Sequence, residues 1–144
     1  MTIAMDAFIS YSSDDREKAT RLVKQLQVNG LSIWFDEDQI YPGDDLIARM
    51  RDGISECRHY VLCLSPSFGK KPPQSWVKLE MRMAMLKENS RMATCIIPVR
   101  IKSGGGLPVE LSGRAYADLS STSRWEKNIT KLIHVLKNKP NDAV

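Results

Sequence analysis

The chain has 144 residues, 42% hydrophobic and 26% charged, with a net charge of +4. That length suits one domain with a substantial core, and no apolar run reaches the roughly 18 residues that a membrane span needs. Charges of both signs are interspersed, without the basic stripe and aromatic or helical readers that nucleic acid requires, so neither nucleic acid nor a membrane is expected as a partner.

Cys57, Cys63 and Cys95 are odd in number and lack metal-ligand spacing; they predict a reduced, cytoplasmic compartment, with no resident metal or cofactor. Met1 to Asp6 lack the basic-then-apolar order of a signal peptide.

Ala7 to Tyr11 predicts a short buried strand, broken by Ser12-Ser13-Asp14-Asp15. A helix follows, with Ala19, Leu22, Val23 and Leu26 at helical period; Asp14 and Glu17 have capping-box spacing, and Asn29-Gly30 stops it. Leu31 to Phe35 is a second strand, followed by an acidic, turn-rich loop, Asp36 to Gly43. Its Asp36-x-Asp38 resembles the start of a calcium loop, but Ile40 breaks the ligand pattern. Asp44 or Asp45 caps the next helix, whose inner face is Leu46, Ile47, Met50 and Ile54.

His59 to Leu64 is a near-continuous apolar run, the mark of a central parallel strand covered on both faces. Ser65-Pro66 ends it, and a loop with Gly69, Pro72 and Pro73 leads to Ser75, the expected N-cap of a helix running to about Glu88. Trp76 and Glu80, four residues apart, share one face of that helix. Its Met81, Met83, Ala84, Met85 and Leu86 make it apolar nearly all round, as a core helix or an assembly surface would be. Thr94 to Val99 is a fourth strand, where Pro98 marks a nearby site or a break in the ladder.

Gly104-Gly105-Gly106 is a flexible loop without the Gly-Lys-Ser/Thr continuation of a phosphate cradle. Arg114 to Asp118 makes a short edge strand. Ser123-Arg124-Trp125-Glu126 is a capping box opening a last helix, with Trp125, Ile129, Leu132, Ile133 and Leu136 inward. Residues 1–138 form the domain, and 139–144 a disordered tail.

Strands alternating with helices imply an α/β fold: a flavodoxin-like five-stranded parallel sheet of order 2-1-3-4-5, helices on both faces. Ligands of such sheets bind outside the carboxyl ends of the strands, at the switch between strands 1 and 3. Tyr11-Ser12 and Leu64-Ser65 bracket that crevice.

Four stretches in register add a family resemblance. Phe8-Ile9-Ser10-Tyr11 resembles the first box of the TIR (Toll/interleukin-1 receptor-like) domain, and Gly30 to Asp36 with Pro42-Gly43 its second box and BB loop. Tyr60 to Ser67 resembles its third strand, and Ser75-Trp76-Val77-Lys78-Leu79-Glu80 the W-x-x-x-E segment of the NAD-cleaving, prokaryotic-type branch. The resemblance covers about Asp6 to Leu136. One departure is that Glu37 to Tyr41 lacks the Arg-Asp pair that often precedes Pro-Gly in the family.

The resemblance implies an NAD+ nucleosidase with NAD+ as substrate, Glu80 as the catalytic carboxylate and Trp76 against the nicotinamide or its ribose. Further substrate contacts are implied at Ser10, Tyr11, Ser12, Asp36 and Gly43, and self-association through the BB loop and adjacent helices. It implies a place in immune or stress signalling.

One carboxylate suffices for this cleavage. Nicotinamide departs from a pyridinium as a neutral molecule, so no general acid is needed; the developing ribosyl cation is what requires stabilisation. The alternative is a non-catalytic TIR module that signals by self-association. A response-regulator receiver is excluded, because Leu64-Ser65-Pro66 occupies the place of its acceptor aspartate and Tyr11-Ser12-Ser13 that of its acidic pair. His59 and His134 read as structural or surface groups.

Overall fold

A computed structural model describes residues 5–35, 42–91 and 95–138. Strand β1 (Met5–Ser10) leads through a 3-10 turn at Ser13–Asp15 into α1 (Arg16–Val28), then β2 (Ile33–Phe35) and α2 (Leu46–Glu56). Strand β3 (Cys57–Leu64) is followed by two helices, α3 (Pro66–Lys70) and α4 (Trp76–Arg91). Strands β4 (Ile96–Arg100) and β5 (Ala117–Asp118) precede α5 (Thr122–Lys137). The five strands pair in parallel in the order β2-β1-β3-β4-β5, as expected from the sequence.

Period-2 alternation divides the core into two layers. Ala7, Ile9, Val61, Cys63 and Val99 pack under α1 and α5, whose Leu22, Leu26, Trp125, Ile129 and Leu132 are buried there. Phe8, Trp34, Tyr60, Leu62 and Ile96 face the other way, against Met50 and Ile54 of α2 and Val77, Met81 and Ala84 of α4. In β3 only Arg58 is not fully buried, which explains its continuous apolar run. All three cysteines are buried and free, and burial pushes the Cys57 thiol up to about 12. Burial likewise holds the His59 imidazole below its usual range, so the structural reading suits it; His134 is exposed.

Several local expectations are corrected. The loop after β3 contains α3, because Ser65 accepts the Phe68 N–H at 3.1 Å and Pro66 supplies a preset first helical residue. At α1 the Asp14/Glu17 box does not form, and the 3-10 turn takes its place. Asp45 caps α2 through the Ala48 N–H at 3.1 Å, but Leu46 and Ile47 are each 46% exposed, so the buried stripe begins at Met50. Ser75 receives the Leu79 N–H on its carbonyl at 3.0 Å, while its hydroxyl makes no hydrogen bond among the described residues. On α4 Leu86 is 69% exposed, so that helix keeps an outer face.

The cap of α5 is Ser121, two residues before the predicted box. The β3–β4 register runs unbroken through Pro98, opposite Leu62. Within the Gly104–Gly106 stretch Gly105 serves close packing: a Cβ there would lie 2.6 Å from the Ser65 backbone nitrogen. Residues 139–144 lie outside the described residues.

Candidate functional site

The alternation that builds the core also aims Ser10. Phe8 faces the α2/α4 layer, so Ser10, two residues on at the end of β1, faces it too. Glu80 lies one turn into α4 on that side and is 1% exposed. The Ser10 hydroxyl donates to Glu80 Oε1 at 2.9 Å across 70 residues of sequence, with both groups buried. The sequence-predicted carboxylate therefore points to the carboxyl end of β1, not to bulk solvent. Removed from water, it exerts a stronger field on a nearby cation than an exposed carboxylate does.

A cleft of about 320 Å³ opens at the same end of the sheet, lined by Tyr11, Ser12 and Trp76 together with Ser13, Ser75 and Val77. Arg16 and Lys71 complete its lining. Neither Glu80 nor Ser10 is among its lining residues; Glu80 follows the lining Trp76 by one helical turn and is hydrogen-bonded to the residue before the lining Tyr11. Trp76 has two roles: it is half-buried against the α2/α4 core and also forms a wall of the cleft. Tyr11 is half-buried, its ring 5.3 Å from that of Phe35 and tilted by 30°. Ser12 is buried, with its hydroxyl 2.6 Å from that of Ser67.

Not every predicted residue joins this group. Gly43 is exposed, with a left-handed φ of 93° that suits glycine, and does not line the cleft. Asp36 lies outside the described residues, as do the other BB-loop positions to Tyr41.

Sequence reasoning missed a polar network supporting the cleft. Asp15 is buried; its Oδ2 accepts a short hydrogen bond from the Ser65 hydroxyl, and its Oδ1 lies 2.9 Å from Lys102 Nζ. Nearby, Asp14 accepts from the Ser67 hydroxyl at 2.8 Å and lies 3.7 Å from Lys71 Nζ. These bonds tie the β1–α1 turn to the β3–α3 turn, the two loops that bracket the crevice. The signal was the acidic pair Asp14-Asp15 shortly after the first box; what it would meet, at Ser65, Ser67, Lys71 and Lys102, lies 50 or more residues away.

Comparison with known proteins finds relatives and solved structures similar to this chain. A relative from Bacteroides thetaiotaomicron, the 2′ cyclic ADP-D-ribose synthase BtTIR, is 33% identical over 84 residues, covering 58% of this chain and 28% of the relative. The NAD(+) hydrolase TcpA of a Theionarchaea archaeon is 31% identical over 84 residues, or 58% of this chain and 25% of the relative. The chain thus spans less than a third of either relative's length. Among solved structures, the TIR domain of the Toll-related receptor TRR-2 from Hydra magnipapillata superposes with a TM-score of 0.78 at 20% identity, over 94% of this chain and 100% of that domain. The profile of the TIR domain itself matches residues 7–133, from β1 into α5, and the chain belongs to the TIR domain family.

Proposed function

We propose that the chain is an NAD+ nucleosidase that cleaves the nicotinamide–ribose bond. The observation that carries the reading is the buried Glu80 carboxylate, held by Ser10 at the carboxyl end of β1, one residue before Tyr11 and one helical turn after Trp76, both of which line the cleft. The names of its relatives support it: one is called a 2′ cyclic ADP-D-ribose synthase and another an NAD(+) hydrolase.

In the proposed reaction the C1′–N bond breaks and its electron pair leaves with nicotinamide, which departs neutral. Glu80 faces the ribosyl cation and stabilises it electrostatically. Ser10 fixes the carboxylate, and Trp76 packs against the nicotinamide or its ribose. Tyr11, Ser12 and, from the BB loop, Asp36 and Gly43 complete the substrate contacts. Water then adds at C1′ and gives up a proton, yielding ADP-ribose; attack by an adenine nitrogen or a ribose hydroxyl, with loss of its proton where it carries one, yields a cyclic isomer. No further cofactor takes part.

The chain acts in this reading as a self-associating module of immune or stress signalling in the cytoplasm. Its BB loop and neighbouring helices form the contacts; Leu46 and Ile47 at the start of α2 are exposed apolar residues suited to that role. The three buried free thiols suit a reducing compartment.

The test incubates NAD+ with concentrated or surface-crowded protein and separates the products by chromatography. Nicotinamide release is expected from the wild type, and Glu80→Ala abolishes it while leaving the circular dichroism spectrum unchanged. Wild-type release no greater than the variant's, in a demonstrated oligomer, would overturn the enzyme reading and leave a non-catalytic self-associating module.

A further inference from the structure

A serine hydroxyl has one proton to donate, so a chain of serines that ends on a carboxylate runs in one direction only. Such a chain starts in the cleft. The hydroxyl of Ser12, a lining residue, lies 2.6 Å from that of Ser67, and Ser67 Oγ donates to Asp14 Oδ2 at 2.8 Å. Neither Ser67 nor Asp14 lines the cleft.

The direction is set at the far end. The Ser67 hydroxyl, and then the Lys71 ammonium 3.7 Å away, hold the Asp14 carboxyl below its ordinary range. Near neutral pH Asp14 is therefore ionised and can only accept. Ser67 commits its proton to Asp14, so the bond between the two serines uses the Ser12 proton. Ser12 Oγ is left with an acceptor lone pair, and its hydroxyl makes no other hydrogen bond among the described residues. Because Ser12 is only 1% exposed, bulk water is a weak competitor for that lone pair.

We propose that Asp14, acting through Ser67, fixes Ser12 as a hydrogen-bond acceptor toward the cleft, so that the site selects a donor on the nicotinamide–ribose half of its ligand. That donor is the carboxamide N–H or a ribose hydroxyl. Ser12 shares the cleft with Trp76, which packs against this half of NAD+ in the nucleosidase reading, and the identity of the ligand rests on that reading. Ser12 makes the contact; Ser67 and Asp14 are positioning residues. A ligand that lacks the donor forfeits one neutral hydrogen bond, about a three- to tenfold loss of affinity.

Isothermal titration calorimetry of the full chain provides the test, with Glu80→Gln as the background so that NAD+ is not consumed. NAD+ is compared with three analogues that each lack one donor. The acetylpyridine analogue has a methyl in place of the carboxamide NH2, and the other two have fluorine in place of one nicotinamide-ribose hydroxyl. One of the three should bind about three- to tenfold more weakly than NAD+, and which one it is identifies the donor. Ser12→Ala should abolish that preference. So should Ser67→Ala and Asp14→Ala, although neither residue lines the cleft, because each frees the Ser12 proton to turn toward the ligand. Ser67→Thr, which keeps the hydroxyl, should retain the preference. Asp14→Ala also unpairs Lys71, but that change is common to all four dinucleotides and cancels in the ratio.

Thermal melts report whether each variant is folded; Asp14 is exposed and Ser67 half-buried, so their alanine variants are expected to fold. Failure to bind NAD+, or equal binding of NAD+ and all three analogues, would overturn the proposal. So would a preference that survives in folded Ser12→Ala, or in folded Ser67→Ala and Asp14→Ala. Nicotinamide release by the otherwise unaltered chain is measured separately. Release without the preference sinks the serine chain and spares the nucleosidase reading; a preference that depends on Asp14 without release does the reverse.

Discussion

Ser10→Ala separates positioning of the carboxylate from its chemistry. The substitution removes only the hydroxyl, so almost no volume is lost and the cavity contribution is small. It removes a donor 2.9 Å from Glu80 Oε1 at a position where both residues are at most 1% exposed and water does not readily replace the bond. A hydrogen bond to a charged group contributes about 1.5–3 kcal/mol, so a loss of about 2 kcal/mol is expected. In a domain of this size that corresponds to a fall in Tm of about 4–8 °C. If the bond also aims the carboxylate, kcat for nicotinamide release falls about tenfold with KM nearly constant.

A double-mutant cycle with Glu80→Gln, read by urea unfolding, isolates the pair. A coupling energy of about 1 kcal/mol or more is expected, since residues in direct contact do not add. An unchanged Tm with coupling below roughly 0.3 kcal/mol would show that Ser10 does not hold Glu80, and the positioning role would be lost.

Two further substitutions test the supporting frame. Burial alone would raise the Glu88 pKa, but the bidentate Arg114 guanidinium and the N–H groups of Ile96 and Cys95 outweigh it and hold the carboxyl below its ordinary 4.5. Its folded value is thus below its unfolded one; the resulting stability is fully present above 4.5 and is lost as the pH falls through the folded value. Urea midpoints measured across the acid range should therefore decline for the wild type and flatten in Arg114→Ala, which should also be less stable by about 1–2 kcal/mol near neutrality. An undiminished acid slope in the variant would contradict this. Gly105→Ala places a Cβ 2.6 Å from the Ser65 nitrogen and should cost about 1–3 kcal/mol by thermal melt. A neutral result would mean that the Ser65 turn yields freely.

The strand order was legible because each strand carries its own hydrophobic period and the connections alternate with helices. His59 to Leu64 reads as a central strand from composition alone, since residues buried on both faces need no polar alternation. Short-range polar chemistry was less legible. Asp14 and Glu17 have the spacing of a cap, but Asp14 instead bonds Ser67 and Lys71, more than 50 residues on. Ser123 has the spacing too, yet Ser121 takes the cap two residues earlier. Such spacings say that a bond can form locally; they do not rank it against partners brought in by the fold.

The same distinction explains which half of the site was visible. Trp76 and Glu80 share a helix, so their common face follows from the helical period, and Ser10 faces them because Phe8, two residues earlier, faces that core layer. Both periods are local, and crossover handedness joins them. The Asp15–Ser65–Lys102 group has no period: its members come from the turns after β1, β3 and β4, each an unremarkable polar loop residue in the sequence. They meet only because a parallel sheet gathers the carboxyl ends of adjacent strands at one edge. What the sequence could supply was the place of convergence; the pairing within it required the loops' three-dimensional paths, including the close approach of Gly105 to Ser65.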